Sequence, residues 1–462
     1  MSSATRTGDE QSGRKHVLVV ALSFPPSAAP AAIPAAQMAR FLPRHGWFAT
    51  FLTIRPEHLL MPHAAADAYP LPRRGIAVHR TSMVYPWDAL ASLAWWRRRR
   101  KGGQPSASDA VRPASMSHGR ARRSPLAVLE SILKFPDVQC GWLPFAILGG
   151  LAVARRRRVD CLYSIGPPWT AHVAALVLHH LLRLPWIADF HDPWTANPWR
   201  GITRPWPLGP LEAKLERSVL RSADMVVTKT PEITAMLRQR SQRHDEQGFA
   251  TIPCAYDKEE IEAARQLAEK RADTFVLTHA GRFYGPRSPV PLLTAVARLS
   301  ETPELARRLE LRLVGEHDAR VQALADRLGI APLLRQVGLA SHLHTLRHIL
   351  ESDLAVVVQP ATGVQIPSKV YEYLGCGVPI LALTGDGATA RLVRQARAGV
   401  VVASDDVEGI AAAIRAFCTG EMPAASVRPD SEVVRQFEAS AVMGRVAGML
   451  DSVSNGSRSG RR

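Results

Sequence analysis

Three ionisable residues stand close together in the segment WIADFHDPW at 186–194: Asp189, His191 and Asp192. The apolar residues ahead of them read as a buried strand, and ligands in open α/β sheets bind at the carboxyl ends of strands. A histidine placed there hydrogen-bonds or exchanges a proton with a substrate hydroxyl, while a flanking carboxylate fixes its tautomer. That makes His191, Asp189 and Asp192 the candidate catalytic residues. The same pattern also suits a helix cap next to a satisfied core histidine.

The segment GRFYGPRSP at 281–289 lies between the apolar run FVLTHA and the helical pattern PVPLLTAVARL. Arg282 and Arg287 therefore fall near a helix N-terminus, where two guanidinium groups and the helix dipole suit a diphosphate. Solvated surface arginines are the plainer alternative; the strand-end position favours phosphate. In IPSKVYEYLGCGVPILAL at 366–383 a short helix precedes a glycine-containing turn and a buried strand. Lys369 and Glu372, three residues apart, share a helix face and suit a phosphate and a ribose diol respectively. A plain ion pair worth tenths of a kcal/mol is the alternative. Ser368, just ahead of Lys369, joins them as a binding candidate.

Other signatures are missing. There is no D-x-D, no His or Cys cluster with metal-ligand spacing, no P-loop and no G-x-S-x-G elbow. A protein-held metal, nucleotide hydrolysis and serine hydrolase chemistry are not indicated, and no cofactor is expected. The loop in ALSFPPSAAPAAIPAAQMARFL at 21–42 lacks the glycines of a dinucleotide fingerprint; its small residues suit either a substrate loop or an ordinary strand-to-helix turn.

Positioning such groups requires sheets. Apolar runs at 16–22, 48–53, 161–165, 186–190 and 224–228, and again at 275–280, 311–315, 354–359, 379–383 and 399–403, alternate with helical patterns. The alternation predicts two doubly wound parallel-sheet domains of the α/β class, with the polar stretch at about 241–272 as the hinge. The boundaries are a tail at 1–14, an N-terminal domain at 15–250, a C-terminal domain at 270–428, a helix at 429–451 returning to the N-terminal domain, and a tail at 452–462. Both tails are expected to be disordered. So is the insertion 97–123, with nine basic residues against one acid and almost no large apolar side chains.

Across 462 residues the formal charge is +17, which favours anionic partners. Five scattered cysteines fit a reducing cytoplasm, the prolines after the first apolar run argue against a signal peptide, and the longest uncharged apolar run, 12 residues at 143–154, is too short to span a bilayer.

Taken together, these segments resemble the bacterial retaining, nucleotide-sugar-dependent glycosyltransferases of family four, which have two Rossmann-like domains in the GT-B arrangement. The resemblance runs from about residue 16 to 450. It rests on SFPP after the first strand, PD…GW at 136–142, YSIGPP at 163–168, ADFHDPW, IPCAYD at 252–257, GRFYGPRSP and PSKVYEYLGCGVPIL. It implies that Arg282 and Arg287 grip the diphosphate of a nucleoside-diphosphate sugar, and that Ser368, Lys369 and Glu372 complete the donor site. Glu372 matches the second acid of an E-x7-E element that holds the ribose. Val364 stands where the first acid is expected, Arg287 where Lys is usual, and His191 where ADFRDPW relatives carry Arg. The implied reaction passes a sugar to a glycan or lipid-linked acceptor in cell-surface polysaccharide or lipid-linked glycan assembly, without a protein nucleophile. A nucleotide-sugar epimerase or phosphorylase shares the architecture. A non-catalytic basic protein binding membrane or nucleic acid is the alternative from another class; nucleic acid is disfavoured, because no stacking pattern or recognition helix accompanies the charge.

In LASLAWWRRRRK at 90–101, Trp95 and Trp96 adjoin four arginines, a composition that settles at an anionic lipid interface. Each cation near such a surface contributes about 1 kcal/mol. The expected location is the cytoplasm, peripheral at the inner face of the cell membrane. The intact protein should float with anionic liposomes, release at high salt, and bind far less once 95–123 is replaced by a neutral linker; equal flotation of the two proteins would remove this segment as the anchor.

Overall fold

The computed structural model describes residues 15–27, 30–58, 76–86, 131–197, 206–243, 247–360, 362–422 and 429–459, with a few single residues between them. Trp95, Trp96, the insertion 97–123 and the tail 1–14 lie outside the described residues.

The first domain is a seven-stranded parallel sheet in the order β3-β2-β1-β4-β5-β6-β7. Its strands are β1 (Lys15–Val20), β2 (Trp47–Ile54), β3 (Ile76–Thr81), β4 (Cys161–Gly166), β5 (Trp186–Phe190), β6 (Met225–Thr228) and β7 (Phe249–Thr251). Helices α1 (Ile33–Phe41), α2 (Leu143–Arg156), α3 (Trp169–Leu182), α4 (Leu208–Ser222) and α5 (Pro231–Ser241) cover it. Apart from the exposed Lys15 at the start of β1, the central strands β1, β4 and β5 are buried throughout, which is why they read as largely apolar runs rather than as alternating patterns.

The second domain repeats the plan with a six-stranded parallel sheet, β10-β9-β8-β11-β12-β13. These are β8 (Phe275–Ala280), β9 (Leu309–Val314), β10 (Leu334–Gly338), β11 (Leu354–Gln359), β12 (Ile380–Thr384) and β13 (Gly399–Val402). Its helices include α6 (Lys258–Arg265), α7 (Val290–Ser300), α8 (Ala319–Arg327), α9 (His342–Leu350), α10 (Ser368–Cys376), α11 (Ala388–Gln395) and α12 (Val407–Thr419). In both sheets the strand order reverses beside the first strand, between β1 and β4 and between β8 and β11, and a crevice opens there at the carboxyl ends.

The chain crosses between domains twice, and the two crossings run side by side. The amide of Tyr256 donates to Phe437 and that of Ala439 donates to Tyr256. After the second crossing α13 (Ala439–Ser459) packs Val442, Val446 and Leu450 against Phe41, Leu42 and Trp47 of the first domain. Asp451 fastens it by accepting from the Trp47 indole at 3.0 Å and pairing with Lys15.

Several expectations need correction. The tail expected at 452–462 is helical through Ser459, because Val453 packs against the core and Ser454 is buried, so the apolar stripe of α13 continues past Asp451. The segment expected as a polar hinge contains β7 and α6. Strands β3 and β10 carry no apolar-run signal; β3 is an edge strand, β10 pairs only with β9, and both carry polar side chains on a half-exposed ribbon.

Candidate active site

Asp189 is the penultimate residue of β5 and lies in the protein interior. Three neighbours satisfy it: Tyr163 from β4 donates at 2.8 Å, Lys229 just beyond β6 lies 2.7 Å from Oδ1, and His191 Nε2 is 3.2 Å from Oδ2. Burial alone would raise the Asp189 pKa; Lys229 and then His191 outweigh it and hold the carboxyl well below its usual range. The chain then passes through Asp192 to Trp194, whose indole is fully buried, stacks on Trp169 at 5.1 Å and donates to Glu212. The turn holding His191 and Asp192 is thus pinned at both ends. Two further motifs serve this scaffold: Asp137 of PD…GW accepts from the Thr170 amide and hydroxyl at the start of α3, and Phe24 of SFPP stacks on Phe51 in the core.

The facing wall comes from the second domain. Beyond β8, Gly281 has φ +147°, a conformation that favours glycine, and a Cβ on Gly315 would fall 2.3 Å from the Gly281 carbonyl oxygen. This tight crossing aims the next residues into the cleft. Arg282 is half-exposed and lies 3.2 Å from Glu316. Arg287 is held by Gln359 at the end of β11, which accepts at 3.1 and 2.5 Å, and donates to the Tyr284 hydroxyl at 2.8 Å. Helix α10 begins at Ser368 and ends in Gly377 at φ +72°, a left-handed cap. On its inner face Lys369 is 2.7 Å from Glu372 Oε2, while His342, the first residue of α9, lies 3.3 Å from Oε1. Burial would raise the Glu372 carboxyl; Lys369 and His342 bring it down to about 2.

Asp189, His191, Asp192, Arg282, Arg287, Ser368, Lys369 and Glu372 all line one cleft of about 590 Å³ between the domains. Residues from the two walls also meet directly. Gln365 hydrogen-bonds Asp192, whose carboxyl is raised by burial, and Thr230 donates to the Val364 carbonyl at 2.6 Å. The Val364 side chain packs against the core of the first domain, so no acid faces the cleft from that position. Cys254, from IPCAYD, also lines the cleft; burial pushes its thiol up to about 11, and it stays protonated at neutral pH. Among the described residues no group of three His, Cys, Asp or Glu side chains is placed to hold a metal ion.

Sequence reasoning did not single out Tyr163, Lys229, His342, Gln359 or Gln365. Lys229 carried the clearest signal, since VVTKT places a cation immediately after a buried strand. The partners of Gln365 and His342 come from segments remote in sequence, which no local pattern reveals.

Residues 274–419 match the family model described as Glycosyl transferases group 1, and residues 107–260 match that described as Glycosyltransferase Family 4. The chain is a glycosyltransferase. Its fold is that of the GT-B enzymes. Sucrose-phosphate synthase from Thermosynechococcus elongatus superposes with a TM-score of 0.66 at 16% identity, over 95% of this chain and 99% of that one. HepE from Anabaena, solved with UDP and glucose, gives 0.61 at 16% identity over 95% and 100%. WaaG, a glycosyltransferase involved in lipopolysaccharide biosynthesis, gives 0.57 at 14% identity over 94% and 99%. No curated protein matches this glycosyltransferase in sequence. Among its described residues, no helix is long and apolar enough to cross a membrane.

The buried pair at the cleft floor makes a direct prediction. Lys229→Met leaves Asp189 buried without its strongest partner and should cost about 3–5 kcal/mol in urea denaturation. Adding Asp189→Asn removes the stranded charge and should recover most of that loss; equal losses in the single and double variants would show that the pair is not coupled.

Proposed function

We propose that this glycosyltransferase is a retaining enzyme that moves a sugar from a nucleoside-diphosphate sugar to a glycan or lipid-linked acceptor in cell-surface polysaccharide or lipid-linked glycan assembly. The observation that carries the reading is the convergence of Arg282, Arg287, Lys369 and the N-terminus of α10 on one wall of the cleft, opposite the His191 turn. The complex of HepE with UDP and glucose supports a nucleotide sugar as the donor, and the involvement of WaaG in lipopolysaccharide biosynthesis supports a cell-surface product.

In this reading Glu372 accepts from the ribose hydroxyls, while Arg282, Arg287, Lys369 and the Ser368 amide receive the diphosphate. The bond between the anomeric carbon and the β-phosphate oxygen breaks, charge develops on the departing diphosphate, and preorganised cations stabilise it. The acceptor oxygen bonds to the anomeric carbon from the leaving-group face, and its proton passes to the departing phosphate oxygen. No protein nucleophile takes part. This agrees with Asp189 being tied to Lys229, Tyr163 and His191, and with the protonated Cys254 thiol. His191 and Asp192 stand on the acceptor side, where they orient the attacking hydroxyl. The basic residues carry the charge role that Mg²⁺ has in other transferases, and the basic segment 97–123 holds the enzyme at the inner membrane face where a lipid-linked acceptor resides.

A thermal-shift screen of UDP-, GDP- and ADP-sugars should identify the donor, since a ligand at 100 times its dissociation constant adds about 2.7 kcal/mol of stability. With that donor, a folded Arg282→Ala variant should show weaker binding and lower turnover; unchanged kcat/KM would remove Arg282 from the site. Activity should also survive EDTA, whereas complete loss restored by Mg²⁺ or Mn²⁺ would contradict the cation clamp.

A further inference from the structure

His342 takes no part in the mechanism above, yet it is largely shielded from solvent between two carboxylates. Its Nδ1 lies 2.9 Å from Glu260 Oε1 on α6 and its Nε2 3.3 Å from Glu372 Oε1 on α10. The ring sits at the head of α9, whose first turn is capped by Ser341 accepting from the His344 amide, and Tyr69 of the first domain tilts against it with centroids 5.8 Å apart. Tyr69 gives its own hydroxyl to Asp257, which caps α6 and pairs with Arg40 at 2.6 Å. Glu260 meets the ring as an ion pair only: neither His342 Nδ1 nor Glu260 Oε2 has a hydrogen-bond partner among the described residues. It also stands outside the cleft wall.

We infer that His342 is a positioning residue: as an imidazolium bridging Glu260 and Glu372, it fixes the Glu372 carboxylate in the orientation that receives the ribose of the donor. The inference rests on the reading of Glu372 given under the proposed function. With Nε2 hydrogen-bonded to Glu372 and Glu260 at ion-pair distance from Nδ1, the two flanking carboxylates favour the protonated ring. Lys369 occupies Oε2 of Glu372 and His342 takes the other oxygen, so the carboxylate is held from two sides and presents one edge to the cleft. The ionisable groups facing the ring are Glu260 from α6, Glu372 and Lys369 from α10, and the Tyr69 phenol. Burial alone would lower the imidazole; Glu372 and Glu260 outweigh it and raise it to about 9. A raised value means that the bridge is intact at neutral pH and is lost as pH rises through about 9.

Isothermal titration calorimetry of the full-length protein with UDP, GDP and ADP, between neutral pH and about pH 10, tests this. The wild type should lose affinity for its nucleotide as pH rises through about 9. His342→Gln should bind about tenfold more weakly at neutral pH and show a flattened pH profile. Glu260→Gln removes one carboxylate that holds the proton, so its loss of affinity should begin at lower pH although Glu260 touches no ligand. A purely structural role would lower the melting temperature and leave the shape of the profile unchanged. Binding by His342→Gln within twofold of wild type, while Glu372→Ala weakens it, would overturn the inference and leave the donor reading standing. If neither variant changes binding, or the wild type binds none of the three nucleotides, both fall. Should His342→Gln not fold, the Glu260→Gln profile decides: an unshifted profile overturns the bridge.

Discussion

An ionised carboxylate cannot be taken out of water alone, and this molecule buries two of them in its cleft, Asp189 from one domain and Glu372 from the other. Each demands cationic and hydrogen-bonding partners, drawn from more than one element. Asp189 draws Lys229 from the end of β6 and His191 from its own turn; Glu372 draws Lys369 from one helical turn back and His342 from α9. Strand ends and helix starts are thereby fixed in register by charge, in addition to the apolar packing that holds the sheets. The loops between them inherit rigidity where they line the cleft.

The two walls differ in character. On the first domain the ionisable groups are largely used by one another, leaving His191 and Asp192 on a turn stapled by Trp194. On the second, Arg282 lies half-exposed beside Glu316, and Arg287 is oriented by Gln359 and the Tyr284 hydroxyl. With Arg282, Arg287 and Lys369 set against Glu316 and Glu372, this wall keeps a positive field for a ligand. Val364 fits the same logic. An acid there would oppose that field, whereas a valine packs against the first domain and lends its carbonyl to Thr230.

What the sequence discloses follows from how local each cause is. Central strands were legible because burial on both faces leaves continuous apolar runs, and the strand-end positions of Asp189, His191 and Arg282 followed from them. β3, β7 and β10 were not legible, since edge or half-exposed strands need polar residues and β7 has only three residues. The final turns of α13 are polar in composition and so resemble a tail, while Val453 and Ser454 still face the core. The bridging partners of Glu372 and Asp192 depend on tertiary placement, and no spacing rule within a single segment reports them.

The placement of α13 gives the first domain a chain that is not continuous. Its sheet is complete by Thr251, yet part of its core, Val442 to Leu450, is supplied by residues made after the whole second domain. During synthesis the surface around Phe41, Leu42 and Trp47 therefore stays uncovered while the second domain emerges and folds. The closing of the first domain's core and the assembly of the cleft become one late event, so a nascent chain carrying half the enzyme presents an unsealed apolar face rather than a folded module that binds substrate without turning it over.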